Sequence, residues 1–121
     1  MSHTLEYDSD ADCITLRIEG IVTLDLIAEI APEVGRLCVE TGCCRLLNDM
    51  RDTTINISIT ELNKSPKIMD ESGVSRTLKR ALVVPSSFNQ YRFLENVTRN
   101  RGHNFMVFKD IEKAKRWLMD K

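Results

Sequence analysis

Residues 81–118 contain Ala81-Leu82-Val83-Val84-Pro85, then Ser87-Phe88-Asn89-Gln90, then Phe105-Met106-Val107-Phe108, and finally Asp110 ahead of Ile111, Ala114, Trp117 and Leu118. A short apolar run closed by proline has the pattern of a strand buried on both faces. Ser87 with Gln90 three positions later makes a capping box, which predicts a helix start. Tyr91, Leu94 and Val97 line that helix, and Gly102 stops it. Phe105–Phe108 is then a second buried strand, and Asp110 caps a last helix. Strand, helix, strand, helix in this order calls for parallel pairing with right-handed crossovers. The class is α/β.

Upstream, Leu5 and Tyr7, and then Ile14, Leu16 and Ile18, alternate with polar neighbours. They predict two half-buried strands joined by the polar turn Asp8-Ser9-Asp10-Ala11-Asp12, an antiparallel hairpin that ends at Gly20. Thr23 caps a helix whose apolar stripe runs through Ile27, Ile30, Ala31, Val34, Leu37 and Cys38, with a kink or restart expected at Pro32 and a stop at Gly42. Leu46-Leu47 reads as a short buried strand. Ser58 with Glu61 is another capping box, stapled by Ile57 and Leu62, and Ser65-Pro66 divides the helix that follows into two short pieces ending near Gly73. The sum is one domain over residues 1–121: a mixed sheet of about five strands, hairpin first and parallel βαβ units after it, with about four helices.

A chain of 121 residues with 42% hydrophobic and 29% charged residues has ordinary globular composition. Its apolar runs are far shorter than the roughly 20 residues that span a bilayer, and no basic segment leads into an apolar one at the N-terminus. A cytoplasmic protein without a transmembrane segment is expected. Cys13, Cys38, Cys43 and Cys44 lie in or beside apolar segments, without paired CxxC or Cys/His spacing, so reduced thiols and no structural metal are expected. Residues 1–60 carry 4 Lys or Arg against 11 Asp or Glu, and residues 61–121 carry 13 against 7. Either the fold interleaves these charges or its C-terminal helices form a basic face. A pI of about 6.1 argues against nucleic-acid binding.

The opening hairpin, Arg45-Leu46-Leu47-Asn48-Asp49-Met50-Arg51, Arg80-Ala81-Leu82-Val83-Val84-Pro85 and the ending Val107–Leu118 together resemble the SpoIIAA-like branch of STAS domains. That resemblance spans nearly the whole chain. It implies the STAS fold and a non-enzymatic binding or regulatory role, and the branch is also compared with lipid-binding SEC14-like proteins. The family's switch is a phosphorylated Ser in an Asp-Ser-Ser-Gly stretch at the start of the second helix. Here the matching region reads Asn56-Ile57-Ser58-Ile59-Thr60, which places Ser58 at the switch position without the flanking Asp or Ser-Gly. Ser58 also has a sufficient structural role as N-cap.

Ligands of such sheets gather beyond the carboxyl ends of the parallel strands. Asp49, Arg51 and Asp52, then Ser86 and Ser87, then Lys109 are the candidates for that edge. They form either a polar rim for a ligand or partner, or a local Asp49–Arg51 pair beside helix caps. Cys43 or Cys44 with His103 is the one conceivable nucleophile pair, but it lies at the opposite edge with no acidic orienter, and His103 reads as a partly exposed loop residue. Lys113, Lys115 and Arg116 beside Trp117 suggest a membrane-surface contact, but Trp117 is better explained as core. No Gly-rich phosphate loop, HExxH or GxSxG occurs, so neither catalysis nor a cofactor is expected. The resemblance implies a STAS-like regulatory module that binds a protein partner or itself as a homodimer. The alternative is a carrier or sensor of a small apolar or lipid-like ligand held between helices and sheet. A pocket under Ile55–Met69 would favour the alternative, and a solid core there with an exposed apolar patch elsewhere would favour the first.

Overall fold

In the computed structural model, which describes residues 2–85 and 89–120, five strands hydrogen-bond in the order of the sequence. β1 (Ser2–Asp8) and β2 (Cys13–Val22) form the antiparallel hairpin, its turn held by Asp8 Oδ1 accepting from the Asp10 amide at 3.0 Å. β3 (Arg45–Ile55), β4 (Lys79–Val83) and β5 (Phe105–Phe108) continue the sheet in parallel. Between them run α1 (Leu24–Thr41), α2 (Ile59–Leu62), α3 (Ser65–Glu71) and α4 (Asn89–Asn100), and α5 (Ile111–Met119) follows. The short α2 and α3 are the two pieces expected from Ser65-Pro66, with Pro66 in the first turn of α3. The Ser87–Gln90 capping box lies outside the described residues.

Two cores form, one on each side of the sheet. On one face Leu16, Ile18, Leu46, Met50 and Leu82 pack with Leu26, Ile30 and Val34 of α1 and with Tyr91 and Leu94 of α4. On the other, Cys13, Leu47, Ala81 and Val83 pack with α5 through Ala114 and Leu118. Half-buried Trp117 edges this second core, 5.7 Å from Phe108, and Lys79 Nζ stands 4.5 Å over its ring. Lys79 also donates to the carbonyls of Trp117 and Asp120, and Arg45 Nε to that of Leu118 at 3.1 Å. These cations sit where the negative end of the α5 dipole favours them. α4 ties down the edge strand: Glu95 Oε2 accepts from the Val107 amide at 2.6 Å, and Arg99 Nη1 donates to Phe105 O at 2.8 Å.

Three local expectations are corrected. β2 does not stop at Gly20 but runs to Val22, because Glu19 to Val22 continue the pairing with β3. β3 is eleven residues long rather than the Leu46-Leu47 core alone. Its register slips against β2: Arg17 faces Asp49, yet Glu19 faces Asp52, so β3 carries one extra residue. That bulge inverts the alternation, with Leu46 and Met50 inward before it and Thr53 and Ile55 inward after it. Finally, α1 does not restart at Pro32 but runs through it as one helix. Buried Leu26 and Ile30 before the proline, and Val34 after it, hold both halves on the sheet. Gly42 closes this helix in the left-handed conformation at φ 70°, as expected.

Gly35 marks a close helix–helix contact. A Cβ there would meet the backbone carbonyl of Ser72 at 2.6 Å. Replacing a mid-helix glycine with alanine ordinarily gains up to about 1 kcal/mol, whereas overpacking against backbone costs about 1–3 kcal/mol. Gly35→Ala is therefore expected to be destabilised by roughly 1 kcal/mol net. Urea unfolding checks this, and a midpoint equal to or above the parent's would show that α1 and α3 separate freely.

Candidate functional site

Asp49, Arg51 and Asp52 lie within β3 and not beyond its end, since the strand continues to Ile55. The bulge gathers them around Arg17 of β2. Arg17 Nη1 donates to Asp49 Oδ2 at 2.8 Å while its Nη2 contacts Asp52. Arg51 reaches Asp49 twice, from Nε at 2.9 Å and from Nη2 at 2.8 Å. The Arg51 side chain holds the Asp49 carboxyl below its ordinary range despite burial. Both oxygens of Asp49 are thus occupied from within the sheet, and the residues form an ion-pair cluster. Lys109 follows β5, two strands away from β3. Ser86 and Ser87 lie outside the described residues.

Ser58 is an N-cap. Its Oγ accepts from the Glu61 amide at 3.1 Å, and Glu61 Oε1 accepts from the Ser58 amide at 3.0 Å. Ile57 and Leu62 are buried behind it, whereas Ile59 is 65% exposed. The Asn56 amide donates to Val22 O at 2.8 Å, joining the α2 start to the end of β2, where Ile21 is 55% exposed.

A polar chain that sequence reasoning missed starts at Arg80, a buried side chain on the same face as Leu82. Its Nη2 lies 3.0 Å from His103 Nδ1, and its guanidinium 5.1 Å from the Phe105 ring. His103 Nε2 lies 3.2 Å from Asp70 Oδ1, and Arg76 Nη2 is 3.0 Å from Asp70 Oδ2. Arg80 can only donate, so Nδ1 accepts and the imidazole proton sits on Nε2, facing Asp70. His103 is 4% exposed, which corrects the partly exposed loop reading. Burial pushes the Arg80 guanidinium down to about 10, with Asp70 opposing. Burial and then the Arg80 charge hold His103 below its usual value. A signal for Arg80 does exist in the sequence: counting back by two from Val84 and Leu82 puts it on the core face.

A cavity of about 70 Å³ lies between this face of the sheet and α1, α3 and α4. Its walls are mostly apolar, among them Ile30, Met50, Ile55, Met69 and Leu94, with Arg80, Asn48, Ser65, Thr98 and the Tyr91 hydroxyl as polar exceptions. Among the described residues, Arg80 Nε, Asn48 Oδ1 and His103 Nε2 are buried without a hydrogen-bond partner, His103 Nε2 standing near Asp70 without the geometry of a hydrogen bond.

Neither a family model nor a curated protein matches the chain. Among solved structures, the unphosphorylated form of the anti-sigma factor antagonist SpoIIAA is similar over 99% of this chain and 100% of its own, with a TM-score of 0.58 at 8% identity. An uncharacterised protein of the DUF3478 family from Shewanella loihica PV-4, which has a SpoIIAA-like fold, gives 0.62 at 17% identity over 97% of this chain and 92% of its own. The phosphorylated form of SpoIIAA, a Bacillus cell fate determinant, gives 0.52 at 12% identity, covering 96% and 99%. The chain has the SpoIIAA-like STAS fold.

Within this SpoIIAA-like fold the four cysteines are free: Cys13 and Cys43 are buried, Cys38 is half-buried and Cys44 exposed. Among the described residues no three His, Cys, Asp or Glu side chains gather as a metal-holding group, and no helix is long and apolar enough to cross a membrane. The imidazole of His103 faces Arg80 and Asp70 on its two nitrogens, so it is engaged in the core rather than paired with Cys43 or Cys44.

Two measurements probe these side chains. Ser58→Ala is expected to lose about 1 kcal/mol through the missing cap, and Ser58→Asp to stay level with the parent, since Asp caps as well as Ser. Thermal melts of the three forms decide it; an alanine form as stable as serine would mean that the cap contributes nothing. For His103, the folded pKa lies below the ordinary 6.5. The unfolded chain therefore takes up a proton first as pH falls, and stability declines below about pH 6.5. Unfolding curves from pH 7.5 to 5 are expected to show this decline in the parent and a shallower one in His103→Gln.

Proposed function

We propose that the protein is a non-enzymatic regulatory module of STAS type, working in the cytoplasm, that acts by binding a protein partner or a second copy of itself. The observation that carries this reading is the pair Ile59 and Ile21, exposed on one edge where α2 begins and β2 ends. Single exposed apolar residues are common, but here one follows the cap Ser58 directly and the other precedes Val22, whose carbonyl accepts from the Asn56 amide. The fold supports the same reading, because SpoIIAA is itself an anti-sigma factor antagonist solved in phosphorylated and unphosphorylated forms. In this chain Ser58 serves the helix as its cap, and phosphorylation is not needed to explain it. The Asp49 cluster lies along the same two strands and supplies a polar flank.

A second reading is favoured by the apolar cavity, which reaches Ile55, Pro66 and Met69 beneath the segment that follows β3. In that reading the module senses or carries a small apolar molecule.

Ile59→Asp combined with Ile21→Asp tests the first reading. Both side chains are exposed, so thermal melting is expected to be unchanged, while partners captured from the native lysate, or self-association seen by sedimentation, are lost. Retention of every partner and of the oligomeric state in the double variant would remove this edge as the docking surface.

A further inference from the structure

Among the described residues the cavity wall holds one cation, Arg80, and no carboxylate beside it. Arg80 is 5% exposed, and its Nη2 meets the neutral ring of His103. The nearest carboxylate in this chain of contacts, Asp70, stands on the far side of that ring and is itself bound by Arg76. Arg80 Nε has no hydrogen-bond partner among the described residues. Removing a guanidinium from water without a counter-charge is costly, and a carboxylate is the anion whose two oxygens match its fork. Asn48 lies beside it on the same face: Leu46 pairs with Arg80, and Asn48 with Leu82. Its Oδ1 is also buried without a partner. Turned by 180°, the Asn48 amide presents its NH2 to a second acceptor oxygen. The remaining walls, including Ile30, Met50, Met69 and Leu94, are mostly hydrocarbon or thioether, with the uncharged hydroxyls of Ser65, Tyr91 and Thr98 among them.

We propose that this cavity binds a short-chain carboxylic acid, its carboxylate on the Arg80 guanidinium and its alkyl chain among Ile30, Met50 and Leu94. The inference rests on the second reading above and gives its ligand a chemical class. Size follows from the volume. A dry apolar cavity of about 150 Å³ accepts benzene, so about 70 Å³ suits an acid of about three or four carbons. Inorganic anions lack the chain that would displace the cavity's unfavourable void, and alcohols lack the charge that would pair with Arg80.

The test uses the whole chain with three probes: butyrate, n-butanol and inorganic phosphate. Titration calorimetry gives affinities, and nitrogen–proton NMR follows the Arg80 Nε–H resonance. Butyrate is expected to bind saturably and move that resonance, n-butanol to bind at least about tenfold more weakly, and phosphate not to bind. Arg80→Met is expected to weaken butyrate by about tenfold or more while leaving butanol unchanged. The resonance of the parent protein decides the question even if that variant fails to fold. Equal affinity for butyrate and butanol, phosphate binding as tightly as butyrate, or butyrate binding with a still Arg80 resonance would overturn the acid-head assignment. An apolar ligand remains acceptable in the first and third of those cases. Binding of neither butyrate nor butanol would overturn this inference and the small-ligand reading together.

Discussion

Ala81 and Val83 lie fully buried beneath α5, and Leu82 and Val84 lie equally buried in the core that α1 and α4 close on the opposite face. β4 therefore has no side left for water, and a strand in that position must be covered twice. All three crossovers supply one cover, so the other falls to the single helix at the end of the chain. α5 lies over β3, β4 and β5. Over the neighbouring part of that face the sheet meets solvent, and there Arg17, Asp49, Arg51 and Asp52 take the place of apolar side chains. The ion-pair cluster is the surface finish of a sheet whose second layer is one helix wide.

The elements whose apolar spacing is unbroken are legible in the sequence. The hairpin, α1, β4, β5 and α5 follow from alternation, helical stripes and caps at Thr23 and Asp110. Ser58 and Glu61 announce their capping box by spacing alone, and the bonds are as that spacing requires. β3 reads too short because alternation assumes one residue per partner. At the bulge two residues oppose one, so Asn48, Met50, Thr53 and Ile55 do not share a period. Asp49, Arg51 and Asp52 then seem to lie beyond a strand that in fact contains them. Pro32 misleads for a complementary reason, since tertiary burial on both sides of it outweighs one missing amide bond.

Arg80 and His103 escape a sequence reading because a charged residue before an apolar run looks like an end marker. The neighbours of Arg80 across the sheet, Leu46 and Phe105, belong to different segments of the chain and become visible only with the register. Once there, Arg80 organises its surroundings. It fixes the tautomer of His103, which turns its proton toward Asp70 at the end of α3, and so joins the sheet to the short helix that roofs the cavity. The same guanidinium gives a mostly apolar interior a charged pole. Packing, tautomer and cavity chemistry meet in one side chain.

Strand order equal to sequence order has a consequence for synthesis. Each strand hydrogen-bonds to the one made just before it, and none waits for a distant segment to fill a gap in the sheet. A chain emerging from the ribosome N-terminus first can close its hairpin early and then add β3, β4 and β5 in turn as each crossover is completed. The growing edge of the sheet is always the youngest strand. The last of these elements to emerge, α5, covers the face that had stayed open throughout, so the second core is sealed only after every strand of the sheet has been made.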